Sequence, residues 1–300
     1  MTSALRAIVL LGPTGAGKSI VASALAEVYD AILIDEAHVP PVLAHTCGYL
    51  GRDDVDRAVS QGLRVHLNNL ITARGPGSRL HGLADLAQGR VRAPAMLRWL
   101  ATGRRQVSLC VVEHNMFSLC PDVIANIFPE GLIVVLNREG LDAAHVWDRT
   151  YAPFSDARVR IPTTESLYVR EHREVSVPWW VKAGDEDRFV DASPYARTIW
   201  LWAEMTRRLG EFASRQPRDR VTSIWYEDLV TEPVATLRPL MTDVAGGDAR
   251  LASLRTVRRL TTAHIGVHRE RSAADLDAAR QIAGPELAAA ARARSTRGRL

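Results

Sequence analysis

Five short stretches of the chain are almost continuously apolar, and polar residues follow each of them at once. They are residues 5–11 (LRAIVLL), 31–34 (AILI), 107–112 (VSLCVV), 132–136 (LIVVL) and 221–225 (VTSIW). Runs of this length and composition predict strands buried on both faces of a sheet. Helical periodicity lies between them. Ile20, Ala24 and Val28, interleaved with Val21 and Leu25, give a helix starting near Lys18 an apolar stripe, and Pro121 to Phe128 reads as a short helix. Ile199, Trp202, Met205, Leu209 and Phe212 fall at helical spacing and predict a core-facing helix. Residues 234–244 and 275–292 give two more, the first amphipathic and the second rich in alanine. Strands alternating with helices predict an α/β fold, a three-layer sandwich around a mostly parallel, doubly wound sheet.

Two regions break the alternation. Residues 42–105 read as helical with interruptions, and 74–92, rich in Gly and Arg and containing RGPGSR, reads as a mobile loop. Residues 150–190 have no clear period and carry Pro153, Pro162 and Pro178-Trp179-Trp180, which suits a lid or acceptor-binding segment. We expect one domain over 1–292 and a solvated basic tail over 293–300. An apolar content of 47% is ample for a core in a chain of 300 residues. The net charge of +4 suits an anionic ligand, but the basic residues are dispersed and no aromatic-basic signature accompanies them, so nucleic acid is not expected. Cys47, Cys110 and Cys120 are odd in number and lack C-x-x-C spacing, which points to core thiols and to no metal site. The first strand starts within five residues of Met1, and no apolar run reaches membrane-spanning length. A cytoplasmic protein with no membrane partner is the expectation.

The chemistry gathers where strands end. After the first strand, Gly12, Pro13, Thr14, Gly15, Ala16, Gly17, Lys18 and Ser19 satisfy G-x-x-x-x-G-K-[ST] at every required position. Small residues there let successive amides face one concavity, and the following helix turns its positive end to the same place; a phosphate group is the natural occupant. Asp35, Glu36 and His38 follow the second strand, where open α/β sheets place ligand contacts; they serve either the ligand or the solvated loop. Glu113, His114 and Asn115 follow the third strand, and Asn137, Arg138 and Glu139 the fourth.

Four segments in order together resemble the sulfotransferases that use 3′-phosphoadenosine 5′-phosphosulfate (PAPS). They are the strand, loop and helix at 5–26; VVEHNMFSLCPDVIANIFPEGLIVVLNREGLDAAHVW at 111–147; TSIWYEDLVTEPVATLRPLM at 222–241, similar to R-Y-E-D-L-x-x-x-P-x-x-x-L-x-x-L; and IGVHRERSAADLDAARQIAGPEL at 265–287, similar to a closing G-x-W-R-x-x-L-S-x-x-D segment. The resemblance covers roughly half of the chain. It implies that the loop from Gly12 to Ser19 holds the 5′-phosphosulfate, with Lys18 against its bridging or sulfonyl oxygens. Arg138 then grips the 3′-phosphate as a bidentate fork. It implies a nucleotide contact from Arg269, with Arg271 a weaker choice, and places Tyr226 near the adenine or in a structural corner where Glu227 and Asp228 cap a helix. Either Glu113 or His114 is the base, since adjacent residues on an extended strand end point to opposite sides. The product would be 3′,5′-ADP and the acceptor a small-molecule hydroxyl or amine, with Trp99, Trp147, Trp179 and Trp180 available either to an acceptor pocket or to the core.

Two departures from the pattern favour a rival. The family's loop carries its basic residue where Gly15 stands, whereas Lys18 is placed as in kinases; and the Ser expected eight residues after the 3′-phosphate Arg is Val146, beside His145. The alternative is an ATP-dependent small-molecule kinase, with Ser19 available to Mg²⁺ and Asp35 as a metal or base carboxylate.

Overall fold

The computed structural model describes residues 6–29, 31–36, 39, 61–69, 109–160, 169–241 and 247–297. Five parallel strands form the main sheet in the order β2-β3-β1-β4-β7: β1 Arg6–Leu11, β2 Ala31–Ile34, β3 Leu109–Glu113, β4 Leu132–Asn137 and β7 Val221–Trp225. The helices used below are α1 Lys18–Val28, α2 Pro121–Ile127, α3 Gly140–Tyr151, α4 Pro194–Arg215, α5 Tyr226–Thr231 and α6 Ala273–Arg297.

Strand alternation sorts the core into two layers. Val9, Leu11, Ile32, Ile34, Cys110, Val112, Ile133 and Val135 pack on one side against α2, the end of α4 and Leu63 and Leu67 of the helical residues 61–69. Ile8, Leu10, Val111, Val134 and Leu136 pack on the other against Val21, Ala24 and Leu25 of α1 and the segments after β7. Strands buried on both faces have no polar side to show, which is why they read as solid apolar runs. The sheet order reverses at β1, where β3 continues to one side and β4 to the other, and the crevice at that switch point is where such sheets hold ligands.

Several expectations change. Residues 150–190 contain an antiparallel hairpin, β5 Val169–His172 and β6 Val175–Pro178. Its turn places Arg173 and Glu174 at φ 51° and 60°, so no Asn-Gly signal announced it. Trp147 and Trp180 are core, meeting Phe154 edge-on at centroid distances of 6.3 and 6.0 Å. Trp179 stacks edge-on against Trp180 beneath the Arg208 guanidinium. The expected helix at 234–244 is broken into Pro233–Leu237 and a 3₁₀ turn at Arg238–Leu240, where Pro239 cannot supply an amide. The basic tail is helical as far as Arg297, and Arg294 approaches Glu227 at 3.6 Å. α6 passes through Pro285 because the Gln281 carbonyl, deprived of its helical donor, accepts Arg188 Nη2 at 3.0 Å. Cys110 and Cys120 are buried free thiols. Cys47, Trp99, His38 and residues 74–92, singled out above, lie outside the described residues. Among the described residues no helix is long and apolar enough to cross a membrane.

Candidate functional site

The loop from Gly12 to Ser19 leaves β1 at Gly12, whose φ of +154° no other residue adopts readily and where a Cβ would clash with the Leu136 carbonyl oxygen. Gly17 closes the loop at φ +89° as the N-cap of α1, and its face carries the Tyr226 ring; a Cβ there would meet Tyr226 Cδ2 at 3.0 Å. Within the loop, Ala16 N donates to Pro13 O. The amides of Gly15, Gly17, Lys18 and Ser19 make no hydrogen bond among the described residues, and they sit in a turn and a first helical turn that aim amides at one concavity. The Thr14 hydroxyl is buried and makes no hydrogen bond among the described residues.

Lys18 is buried at 5% exposure, its ammonium donating to Gly12 O at 2.7 Å and Pro13 O at 3.1 Å. Burial pulls its pKa down from 10.5 to about 8, against the opposing pull of the Glu113 and Glu36 carboxylates. Glu113, the last residue of β3, accepts Ser19 Oγ at 3.3 Å. Burial raises its pKa, Lys18 and Ser19 oppose the rise, and Asp35 and Glu36 add to it. Parallel pairing explains the meeting: β3 lies beside β1, with Leu10 in register with Glu113, so the carboxylate stands at the mouth of the loop. Glu36 Oε1 accepts Asn115 N at 3.1 Å, tying the end of β2 to the end of β3.

His114 takes a different direction. It N-caps the 3₁₀ turn Asn115–Leu119, its Nδ1 accepting Met116 N at 3.1 Å, and its ring packs on Phe117 at 4.8 Å. The same turn brings in a residue that sequence reasoning missed. Ser118, fully buried, accepts Gly12 N at 2.9 Å and donates to Gly12 O at 2.8 Å. Its only signal in the sequence is a hydroxyl set among apolar neighbours in NMFSL.

Arg138, just past β4, bounds the other side of the loop. Nη1 donates to Gly15 O at 2.6 Å, Nη2 to His264 O at 2.7 Å, the guanidinium stacks on Tyr226 at 4.0 Å, and Nε is buried without a partner. Burial lowers its pKa, with Tyr226 and three carboxylates opposing. Tyr226 itself therefore packs between Gly17 and Arg138. The corner reading fits Glu227 better than capping does. Glu227 Oε1 accepts Glu139 N at 2.9 Å and joins the β7 end to the β4 end, while α5 has no side-chain cap.

Residues 264–271 form a strap along one face of α3. Asp142 accepts Gly266 N at 2.6 Å, His268 N at 3.0 Å and pairs with His268 Nδ1 at 2.6 Å. Burial works to raise the Asp142 pKa, but these bonds hold it below the usual value. Arg271 closes the strap by donating to His145 Nδ1 at 3.1 Å and Asp148 at 2.6 Å and by covering the Tyr195 ring. Arg271 is thus committed to α3 rather than to the loop, and Arg269 is exposed with no side-chain bond among the described residues. His145, beside the departure at Val146, is a strap anchor. Ligand atoms of Glu139, Asp142 and His268 lie within 4.8 Å of one another, close enough to suggest a metal. Their oxygens already cap α3 and hold the strap, so the cluster is an internal clasp. A cavity of about 610 Å³ opens behind this junction, walled by Glu139, Leu141, Trp225, Leu287 and Arg294; neither Lys18 nor Glu113 lines it.

No family model matches the chain, and no curated protein matches it. Among solved structures it is similar to the sulfotransferase domain from the Synechococcus PCC 7002 olefin synthase, at 14% identity and a TM-score of 0.47 over 93% of each chain. It is similar to a sulfotransferase from Alicyclobacillus acidocaldarius, at 16% identity and a TM-score of 0.45 over 95% of this chain and 94% of that one. The sulfotransferase domain from the curacin biosynthetic pathway matches at 15% identity and a TM-score of 0.43 over 84% of this chain and 76% of that one.

Proposed function

We propose that the chain is a sulfotransferase that moves a sulfuryl group from PAPS to a hydroxyl or amine of a small molecule. The observation that carries the reading is Arg138. Its guanidinium, whose buried Nε makes no hydrogen bond among the described residues, lies one hydrogen bond from Gly15 beside the sheet's switch point, which supports a second anion-holding group next to the loop. A donor with a phosphosulfate at one end and a ribose phosphate at the other asks for that pair. The residues present fit it: unbonded loop amides and the orphaned Thr14 hydroxyl for the phosphosulfate, the Arg138 fork for the 3′-phosphate.

When bound, PAPS supplies a sulfuryl group on a good leaving oxygen. Lys18 does its work from the loop side, where an ammonium stabilises charge developing on that oxygen without reorganising solvent. Lowering of its pKa to about 8 leaves it mainly protonated at neutral pH. Glu113 takes the acceptor's proton. Burial raises its pKa, which makes it a better base than an ordinary surface carboxylate. Ser19 fixes the orientation of that carboxylate. In the reaction so proposed, an S–O or S–N bond to the acceptor would form as the bridging S–O bond breaks, with the acceptor's proton going to Glu113 and the electron pair staying on the leaving phosphate oxygen, which Lys18 faces.

A second reading rests on one contact. The Ser19 hydroxyl bonded to a strand-end carboxylate beside a phosphate-loop lysine is also how a Mg²⁺·ATP site is built. Thermal-shift titration separates the two. Under the sulfotransferase reading, PAPS and 3′,5′-ADP raise Tm in the presence of a chelator, by about 2.7 kcal/mol of stabilisation at a hundredfold excess over Kd, and Mg·ATP does not. Stabilisation by Mg·ATP alone, abolished by the chelator, would replace sulfuryl transfer with phosphoryl transfer.

A further inference from the structure

The Gly12 carbonyl oxygen is shared. It accepts the Lys18 ammonium at 2.7 Å and the Ser118 hydroxyl at 2.8 Å, while the same hydroxyl accepts the Gly12 amide at 2.9 Å. Ser118 therefore grips both the amide and the carbonyl of Gly12, whose positive φ and close approach to the Leu136 carbonyl leave no room for a Cβ. The grip is itself held. His114 Nδ1 and the Glu36 carboxylate accept the first amides of the 3₁₀ turn, Phe117 N donates to His114 O, and Cys120 N donates to Phe117 O, so Ser118 has one place to point. The turn starts next to Glu113 and ends on the phosphate loop, which mechanically joins the carboxylate that would receive a proton to the lysine that would meet the leaving group.

We propose that Ser118 is a positioning residue for Lys18: it fixes the Gly12 peptide and keeps the Gly12 carbonyl hydrogen-bonded when the ammonium turns from that carbonyl to the donor's leaving oxygen. The physical reason is the asymmetry of buried hydrogen bonds. A buried carbonyl that loses its last donor pays for its desolvation, whereas one that keeps a second donor does not. With Ser118 present the lysine is free to leave Gly12 O; without it, departure strands the oxygen, and the ammonium is held in its resting place. The penalty appears only when Lys18 moves, so it falls on the transition state more than on the bound ground state. His114 acts at one remove, as the cap that orients Ser118.

The part of this inference that concerns turnover rests on the sulfotransferase reading; the coupling of Ser118 to Lys18 does not. The chain makes the two separable, because it contains only two lysines, Lys18 and the exposed Lys182. In protein labelled with ¹³C at lysine Cε, two NMR signals titrate, and Lys182 is the internal reference. In Ser118→Ala we expect the Lys18 midpoint to move above its value of about 8, since the Gly12 oxygen then serves the ammonium alone, while Lys182 stays in place. In the enzymatic assay we expect kcat to fall roughly tenfold or more with KM for PAPS nearly unchanged. Ser118→Thr, which keeps the hydroxyl, should restore both readouts. If Ser118→Ala does not fold, Ser118→Cys, which keeps the volume and trades a strong donor for a weak one, carries the same test. An unmoved Lys18 signal, or parallel losses of PAPS affinity and Tm with kcat intact, would overturn the proposal and leave Ser118 a structural hydroxyl. A moved Lys18 signal in a protein that transfers no sulfuryl group would sustain the clamp and sink the functional reading instead.

Discussion

The two sides of the crevice are built on opposite plans. On the loop side, eight consecutive residues from Gly12 to Ser19 make the concavity with their own backbone, and Glu113 and Ser118 join them from elsewhere in the chain. On the Arg138 side no backbone nest is found among the described residues. The site there is a mesh of side chains between partners 123 to 126 positions apart: Arg138 to Gly15 and His264, Asp142 to Gly266 and His268, Arg271 to His145 and Asp148. A nest made of successive amides is pre-formed once β1 and α1 fold, so its contribution is fixed charge at low reorganisation cost. A mesh of side chains can be loosened one bond at a time. The loop side is thus expected to govern the chemical step and the strap side the grip on the nucleotide.

The largest expected effect tests the first half of that division. Lys18→Ala removes the only ammonium on the loop, and kcat for sulfuryl transfer should fall by roughly 10³; a fall of less than tenfold would move the burden elsewhere. Next comes Glu113→Gln, with kcat lower by about 10² and nucleotide affinity kept. The pH profile sharpens this pair. Glu113 must be ionised and its pKa is raised, so activity is lost on the acid side as pH falls through a midpoint above the ordinary 4.5. Lys18 must be protonated and its pKa is lowered to about 8, so activity is lost as pH rises through that value. The two limbs belong to the interacting pair, and Glu113→Gln should erase the acid one.

Arg138→Ala is expected to weaken 3′,5′-ADP binding by about tenfold to a hundredfold, read by calorimetry, and Arg138→Lys should not rescue it because a point charge cannot reproduce the fork. The smallest effect is local. Asp142→Ala leaves the Gly266 and His268 amides without their acceptor, at a cost of about 1–3 kcal/mol, and hydrogen exchange should quicken at those two amides while β1 and β4 stay protected. An Asp142→Ala enzyme as inactive as Lys18→Ala would erase the distinction between the two sides.

The same contrast explains which features could be read before folding. The α/β alternation, the strands and the core face of α4 followed from periodicity, because burial on both faces of a sheet and on one face of a helix writes itself into composition at fixed spacing. Glu113 was legible as a strand-end polar residue. Its choice over His114 for the crevice was not, since that depends on the 3₁₀ turn that His114 caps. Ser118 left almost no trace. The strap was visible as a segment of basic residues, but its anchoring was not: Arg271 is drawn to α3, and Arg269 lies at the surface. The hairpin of β5 and β6 escaped because its turn uses Arg173 and Glu174 at positive φ.

The sequence alone determined the turn that leads from β1 into α1, because small residues in a row and a helix to follow are both local properties of the chain. Tertiary structure decided what surrounds it. Which carboxylate faces Lys18, what holds Gly12 and where Arg138 spends its donors are set by parallel pairing of β1 with β3 and β4 and by a strap arriving from far along the chain. Contacts between segments so distant carry no spacing rule, and only packing selects among the partners that the composition permits.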